Sequence, residues 1–268
     1  MPQLGRDLFL TDGGTETGLV FNQGLELPYF AAFDLLKTPQ GELAVRNYYR
    51  SYAELAKKFG VGLILESTTW RASRNWGALM GYGTDTLAGA NRKAIELMEE
   101  IRREYQTDRT PVVIGGCIGP RRDGYVPGRT MSTQEAESYH LEQIETLAAT
   151  SADMVCAMTM NYVEEAIGVA RAARQAGMPV CISFTVETDG RLPTGLPLKS
   201  AIKQVDDQTA GYPVYYMINC AHPTHFGTVL TSEEPWAQRI LGLRAHAFRM
   251  SHADLDEATE LDPGDTAE

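Results

Sequence analysis

Long apolar runs are missing from this 268-residue sequence, and its opening, MPQLGRDLFLTDGG, carries no basic region followed by an apolar segment. No stretch approaches the roughly 18 apolar residues of a membrane span, so the sequence reads as neither membrane-bound nor led by a signal peptide. A basic surplus is also missing: 24 Lys and Arg stand against 35 Asp and Glu, a net charge of -11. That balance argues against nucleic acid and anionic membrane as partners, because both need a cationic face. Cysteine is scarce and unpaired in spacing, at Cys117, Cys156, Cys181 and Cys220. This excludes a secreted disulfide scaffold and implies reduced thiols in a cytoplasmic protein. A dinucleotide-type GxGxxG after a strand is absent too. A small-molecule substrate is what these exclusions leave.

Seven short apolar runs are present: Asp7 to Thr11, Val61 to Ser67, Pro111 to Gly116, Asp153 to Thr159, Pro179 to Thr185, Pro213 to Asn219 and Ile240 to Ala247. Most are apolar at consecutive positions rather than alternating, as parallel strands covered on both faces require. Helical patterns separate them. Glu42 to Phe59 stops at Gly60, Asp85 to Tyr105 is rich in Ala, Leu, Glu and Arg, and Val163 to Ala176 stops at Gly177. Ser132 and Glu135 have capping-box spacing and open a helix to about Thr150. Alternation of this kind predicts an α/β fold, a TIM (β/α)8-type barrel in one domain over 1–268. Seven runs are one short of eight. The terminal Asp265, Thr266, Ala267 and Glu268 have N-cap and N3 spacing with no helix following. The reading is therefore a barrel lacking its last βα unit, incomplete at its C-terminus.

Barrel sites are built from the loops at the C-terminal strand ends. After the first run, Asp12 offers a carboxylate, and Gly13 and Gly14 let backbone N–H groups approach a ligand; the alternative is a tight turn capped by Asp12. Glu66 ends an apolar run, where a buried charge needs a ligand or an arginine such as Arg71 or Arg74. GGCIGP, from Gly115 to Pro120, could bring backbone against substrate, whereas Cys117, Cys156 and Cys181 read as packed thiols. Cys220 differs, because NCAHPTH places it at a strand end beside His222 and His225. These are borderline ligands suited to zinc, in a short and weakly specific pattern.

DGGTET after the first run, GGCIGP after the third, ISFTV on the fifth and INC on the sixth occur in order across the chain. This set resembles the homocysteine S-methyltransferases, which include betaine-homocysteine methyltransferase and the homocysteine-binding module of methionine synthase. The resemblance implies a (β/α)8 barrel in which three cysteines hold zinc, the zinc holds the homocysteine thiol as thiolate, and the thiolate takes a methyl group from a donor. It implies that Cys220 is one zinc ligand and that Asp12 helps hold the amino-acid part of homocysteine. The family's adjacent ligand pair, in a GGCC motif, does not occur in this sequence. One thiolate holds zinc weakly, so a chain with weak or absent zinc and little or no activity is expected. Met158 stands where relatives carry an amine-binding glutamate, so either Glu66 or Glu187 substitutes or the acceptor is a related thiol or selenol. Two other readings stay open: metal-assisted hydrolysis at Cys220, His222 and His225, and a non-catalytic amino-acid-binding protein.

Overall fold

The computed structural model describes residues 1–230, 233–258, 260–262 and 264, so the expected helix start at Asp265 to Glu268 lies outside the described residues. In chain order the elements are β1 (Phe9–Thr11), α1 (Thr15–Thr17), α2 (Pro39–Phe59), β2 (Gly62–Glu66), α3 (Arg74–Leu79), α4 (Thr84–Tyr105), β3 (Val112–Ile118), α5 (Thr133–Ala148) and β4 (Met154–Met160). They continue with α6 (Val163–Gln175), β5 (Val180–Phe184), α7 (Leu198–Thr209), β6 (Tyr215–Asn219), α8 (Pro223–Leu230), β7 (Ile240–Arg244) and α9 (His252–Glu257). The strands follow one another in sequence order, β1 to β7, with parallel pairing. This is the α/β, TIM-barrel-type fold, with seven strands among the described residues.

Every residue of β2 to β6 is buried, which explains why those runs are apolar on both faces. The two outermost strands depart from that expectation. β1 is half-buried, and β7 alternates, leaving Leu241 58% and Leu243 47% exposed.

The chain forms two compact units, the first from Met1–Ile118, Leu141–Cys156 and Ala176–Met178, the second from Gly119–His140, Ala157–Gln175 and Pro179–Glu268. In the first, Thr38 caps α2 by accepting from the Gly41 amide at 3.1 Å, Pro39 opens the helix, and left-handed Gly60 ends it. The helix buries Val45, Tyr48, Tyr49, Ala53 and Ala56. Its outer face is tied to α4 by Arg46–Glu100 at 2.6 Å and Lys93–Glu42 at 3.1 Å. Gly115 and Gly116 of GGCIGP are closely packed. A Cβ on Gly115 would lie 2.5 Å from Cys156 Sγ, and one on Gly116 would lie 2.8 Å from Leu147 Cδ1.

In the second unit the Ser132 and Glu135 capping box is realised, each backbone amide donating to the other's side chain at 2.7 and 3.3 Å. The Ser132 amide and hydroxyl hold the Glu135 carboxyl below its usual range. Close approach of α5 and α6 depends on Gly168, whose Cβ would meet Ala136 Cβ at 2.4 Å. Arg239 forks onto Asp206 at 3.1 and 3.0 Å, and the Tyr216 hydroxyl donates to the same carboxylate at 2.8 Å, bracing α7 against β6.

Candidate functional site

Asp12 follows β1 and is 3% exposed. Its Oδ2 accepts from the Thr15 hydroxyl at 3.0 Å and from the Tyr48 hydroxyl at 3.1 Å. The Thr15 bond is the local turn cap; the Tyr48 bond comes from α2 and anchors the carboxylate from outside its own loop. Tyr49, the next residue of α2, donates to the Glu66 carbonyl at 2.5 Å and lies 3.2 Å from Thr15 Oγ1. Two neighbouring tyrosines of one helix thus join the ends of β1 and β2. Gly13 is needed because a Cβ would stand 2.7 Å from the Tyr52 hydroxyl. Burial, then Asp12, push the Tyr48 hydroxyl far above its usual pKa, so it stays a donor.

Glu16 belongs to the same cluster. Burial first, and the Asp12 carboxylate further down, push its carboxyl up to about 7, against the lowering pull of Arg71 and of backbone amides. Arg71 itself lies over two indoles, its guanidinium carbon 4.4 Å from the Trp70 ring centroid and 3.7 Å from the Trp76 ring centroid. Glu66 is 2% exposed at the end of β2. Beyond it, the Ser67 hydroxyl accepts from the Cys117 amide at 3.1 Å, and the Thr69 hydroxyl donates to the Cys117 carbonyl at 2.6 Å. Cys117 is thereby held by its backbone with its thiol buried, as are Cys156 and Cys181 in β4 and β5.

The second unit arranges its chemistry around Asn219, the last residue of β6. Its Oδ1 accepts from the Ser183 hydroxyl at 2.6 Å and the Thr159 amide at 3.0 Å. Its Nδ2 donates to Thr159 Oγ1 at 2.9 Å and to Cys220 Sγ at 3.0 Å. Both neighbours of this amide have left-handed backbones, Thr159 at φ 62° and Cys220 at φ 53°. For a β-branched threonine that conformation costs on the order of 1–3 kcal/mol and persists only where surrounding bonds impose it. Tyr125 lies in the loop before α5, and burial, then Cys220, hold its hydroxyl well above its usual pKa. Cys220 is the one cysteine that is not buried.

The two histidines of the same segment have other partners. His222 Nδ1 pairs with the Thr224 hydroxyl at 2.8 Å, and His225 Nε2 bonds the Arg249 carbonyl at 2.9 Å. Burial, then Arg249 and His225, lower the His222 pKa. Burial pushes His246 down to about 4, with His252, His225 and His222 adding to the effect. Among the described residues no group of three His, Cys, Asp or Glu side chains is placed to hold a metal ion. Met158 is packed in β4 at 3% exposure, and Glu187 bonds His252 Nδ1 at 2.9 Å.

The structure therefore gathers Asp12 and Gly13 with Glu66 in the first unit, and sets Cys220 apart from His222 and His225 as the held sulfur of the second. Sequence reasoning missed Glu16, Tyr48, Tyr49, Tyr125 and His252. Glu16 stood inside the DGGTET loop. The tyrosines of α2 carried one available signal, polar-tipped aromatics on a buried helical face. Among the described residues no helix is long and apolar enough to cross a membrane.

Comparison with known proteins places this geometry. No curated protein matches the chain in sequence. Three crystal structures of the homocysteine methyltransferase MmuM from Escherichia coli match it in fold. The oxidized form has a TM-score of 0.71 at 19% identity, covering 93% of this chain and 94% of that one. The metallated form has a TM-score of 0.69 at 19% identity, and the apo form 0.63 at 20%, each covering 94% of both chains. The family model for homocysteine S-methyltransferase matches residues 9–266. The chain belongs to the homocysteine S-methyltransferase family and is, by that membership, a methyltransferase.

Proposed function

We propose that the protein transfers a methyl group from a small-molecule donor to the thiol of homocysteine or of a related thiol or selenol. The observation that carries the reading is the Asn219–Cys220 pair at the end of β6, with the sulfur held at 3.0 Å by an amide that is itself fixed by three further bonds. Family membership over residues 9–266 and the fold shared with a homocysteine methyltransferase support the same class of acceptor. Asp12, fixed as an acceptor by Thr15 and Tyr48, is assigned the substrate ammonium, with Glu66, buried at the end of β2 in the same unit, as the substitute for the glutamate replaced by Met158. Glu187 is the weaker substitute because His252 engages it.

Zinc belongs to this reading through Cys220, but the donor set does not fit a three-ligand site. The described residues place one thiol there and bring no three metal donors together. Zinc held by these residues is accordingly expected to be weak, and no chemical step is routed through it. What the chain's own side chains do is bind and orient: Asp12 takes a cation, and Asn219 holds the Cys220 sulfur in place.

The test is methyl transfer to homocysteine from sulfonium, quaternary ammonium and folate donors, with Asp12→Asn and Cys220→Ser as controls. The expected result is product with at least one donor class and a loss of about 10²-fold or more in kcat/KM for each variant. Absence of transfer to any thiol, together with equal calorimetric affinity for homocysteine and homoserine, would sink the proposal in favour of a non-catalytic amino-acid-binding protein.

A further inference from the structure

His252 opens α9, thirty-two residues beyond Cys220, and is 4% exposed. Ser251 and Asp254 form a reciprocal capping box that fixes its entry into the helix. Its Nε2 lies 2.8 Å from the Cys220 carbonyl oxygen, and its Nδ1 lies 2.9 Å from Glu187 Oε1, so the ring spans from one segment to the other. The Thr185 hydroxyl donates to the same Cys220 carbonyl at 3.2 Å. Tyr125 stacks on the imidazole at 4.1 Å between centroids and 13° between planes. The Cys220 amide donates to the Arg244 carbonyl at 3.1 Å.

Every polar atom of Cys220 is thus restrained, and the residue is a non-glycine at φ 53°. Such a conformation relaxes unless its surroundings over-determine it. We propose that His252 is a positioning residue for Cys220: by clamping the Cys220 carbonyl it holds the left-handed backbone from which the thiol reaches Asn219. The consequence for methyl transfer rests on the function proposed above; the clamp itself does not.

Alkylation of the four cysteines by iodoacetamide, followed site by site by peptide mass spectrometry on the full chain, tests the clamp without requiring activity. In the wild type Cys220 reacts first, while Cys117, Cys156 and Cys181 stay protected. With the carbonyl released, the strained backbone relaxes and the sulfur leaves its donor, so His252→Ala is expected to raise the Cys220 rate about tenfold. His252→Gln, whose amide still donates to the carbonyl, is expected to stay within about twofold of wild type. Glu187→Ala, which frees only the far end of the ring, should fall between them. An unchanged Cys220 rate in His252→Ala overturns the proposal, as does a glutamine variant as reactive as the alanine one. Labelling of Cys156 and Cys181 alongside Cys220 overturns it as well, since His252 would then support the fold and not the thiol. Methyl transfer by Cys220→Ser answers the separate question of function, so the two can fail independently.

Discussion

Burial pushes the Glu16 carboxyl up to about 7 from an ordinary 4.5, so the folded chain binds that proton more tightly than the unfolded chain does. The stability this contributes is present below pH 4.5 and is lost as pH rises through about 7. Glu16→Gln keeps a neutral group at every pH. Urea unfolding should therefore show the variant gaining on wild type between pH 4.5 and 7, by about 3 kcal/mol at most, and no further above it. A constant difference across that window would mean that Glu16 ionises in the folded chain at its ordinary 4.5. Glu16 was legible only as a letter in DGGTET, because its burial is made by chain segments that local sequence does not specify. Asp12 was more legible, since a carboxylate directly after a strand needs donors; that one donor would be Tyr48 of α2 could not be read.

Caps and close contacts act at the scale of elements. Thr38→Ala removes the side-chain acceptor for the Gly41 amide and should cost about 1 kcal/mol in chemical denaturation. Gly168→Ala should cost about 1–3 kcal/mol, because the added methyl would meet α5 at Ala136 Cβ and at the Glu137 amide, and helix backbones yield less than side chains. Preservation of the wild-type midpoint in Gly168→Ala would show that α5 and α6 can part at little cost. All seven strands and the helices α2, α4, α5 and α6 follow the apolar periodicity to within a few residues. α7 is not among the helices read from that pattern. It begins after Pro197 with no side-chain cap and ends on left-handed Ala210 rather than on a glycine, so the usual boundary signals are missing. β7 was read to Ala247 but ends at Arg244, its last expected residues being bent away from the strand.

At the scale of the whole molecule, ligand binding and folding share one free energy. Homocysteine at a hundred times its Kd should add about 2.7 kcal/mol to unfolding and raise Tm, and homoserine should add less if the thiol is recognised. Zinc retained after gel filtration should fall well below one equivalent, as a single thiolate from Cys220 predicts. A full equivalent, lost in Cys220→Ser, would refute that expectation. The sequence by itself determined the α/β class, the number and order of the seven strands and the loops on which chemistry sits. It could do so because parallel strands covered on both faces must be apolar throughout, and because the loops after them carry the polar exceptions. Only the tertiary structure decided which of those exceptions meet. NCAHPTH offered one sulfur and two imidazoles by local spacing, and the family resemblance favoured the sulfur. The fold turned His222 to Thr224 and His225 to Arg249, and gave Cys220 to Asn219 and to His252, on which Tyr125 stacks. Those partners come from segments up to ninety-five positions away in sequence, and which of them converge is set by how the elements pack, a long-range outcome that no local pattern encodes.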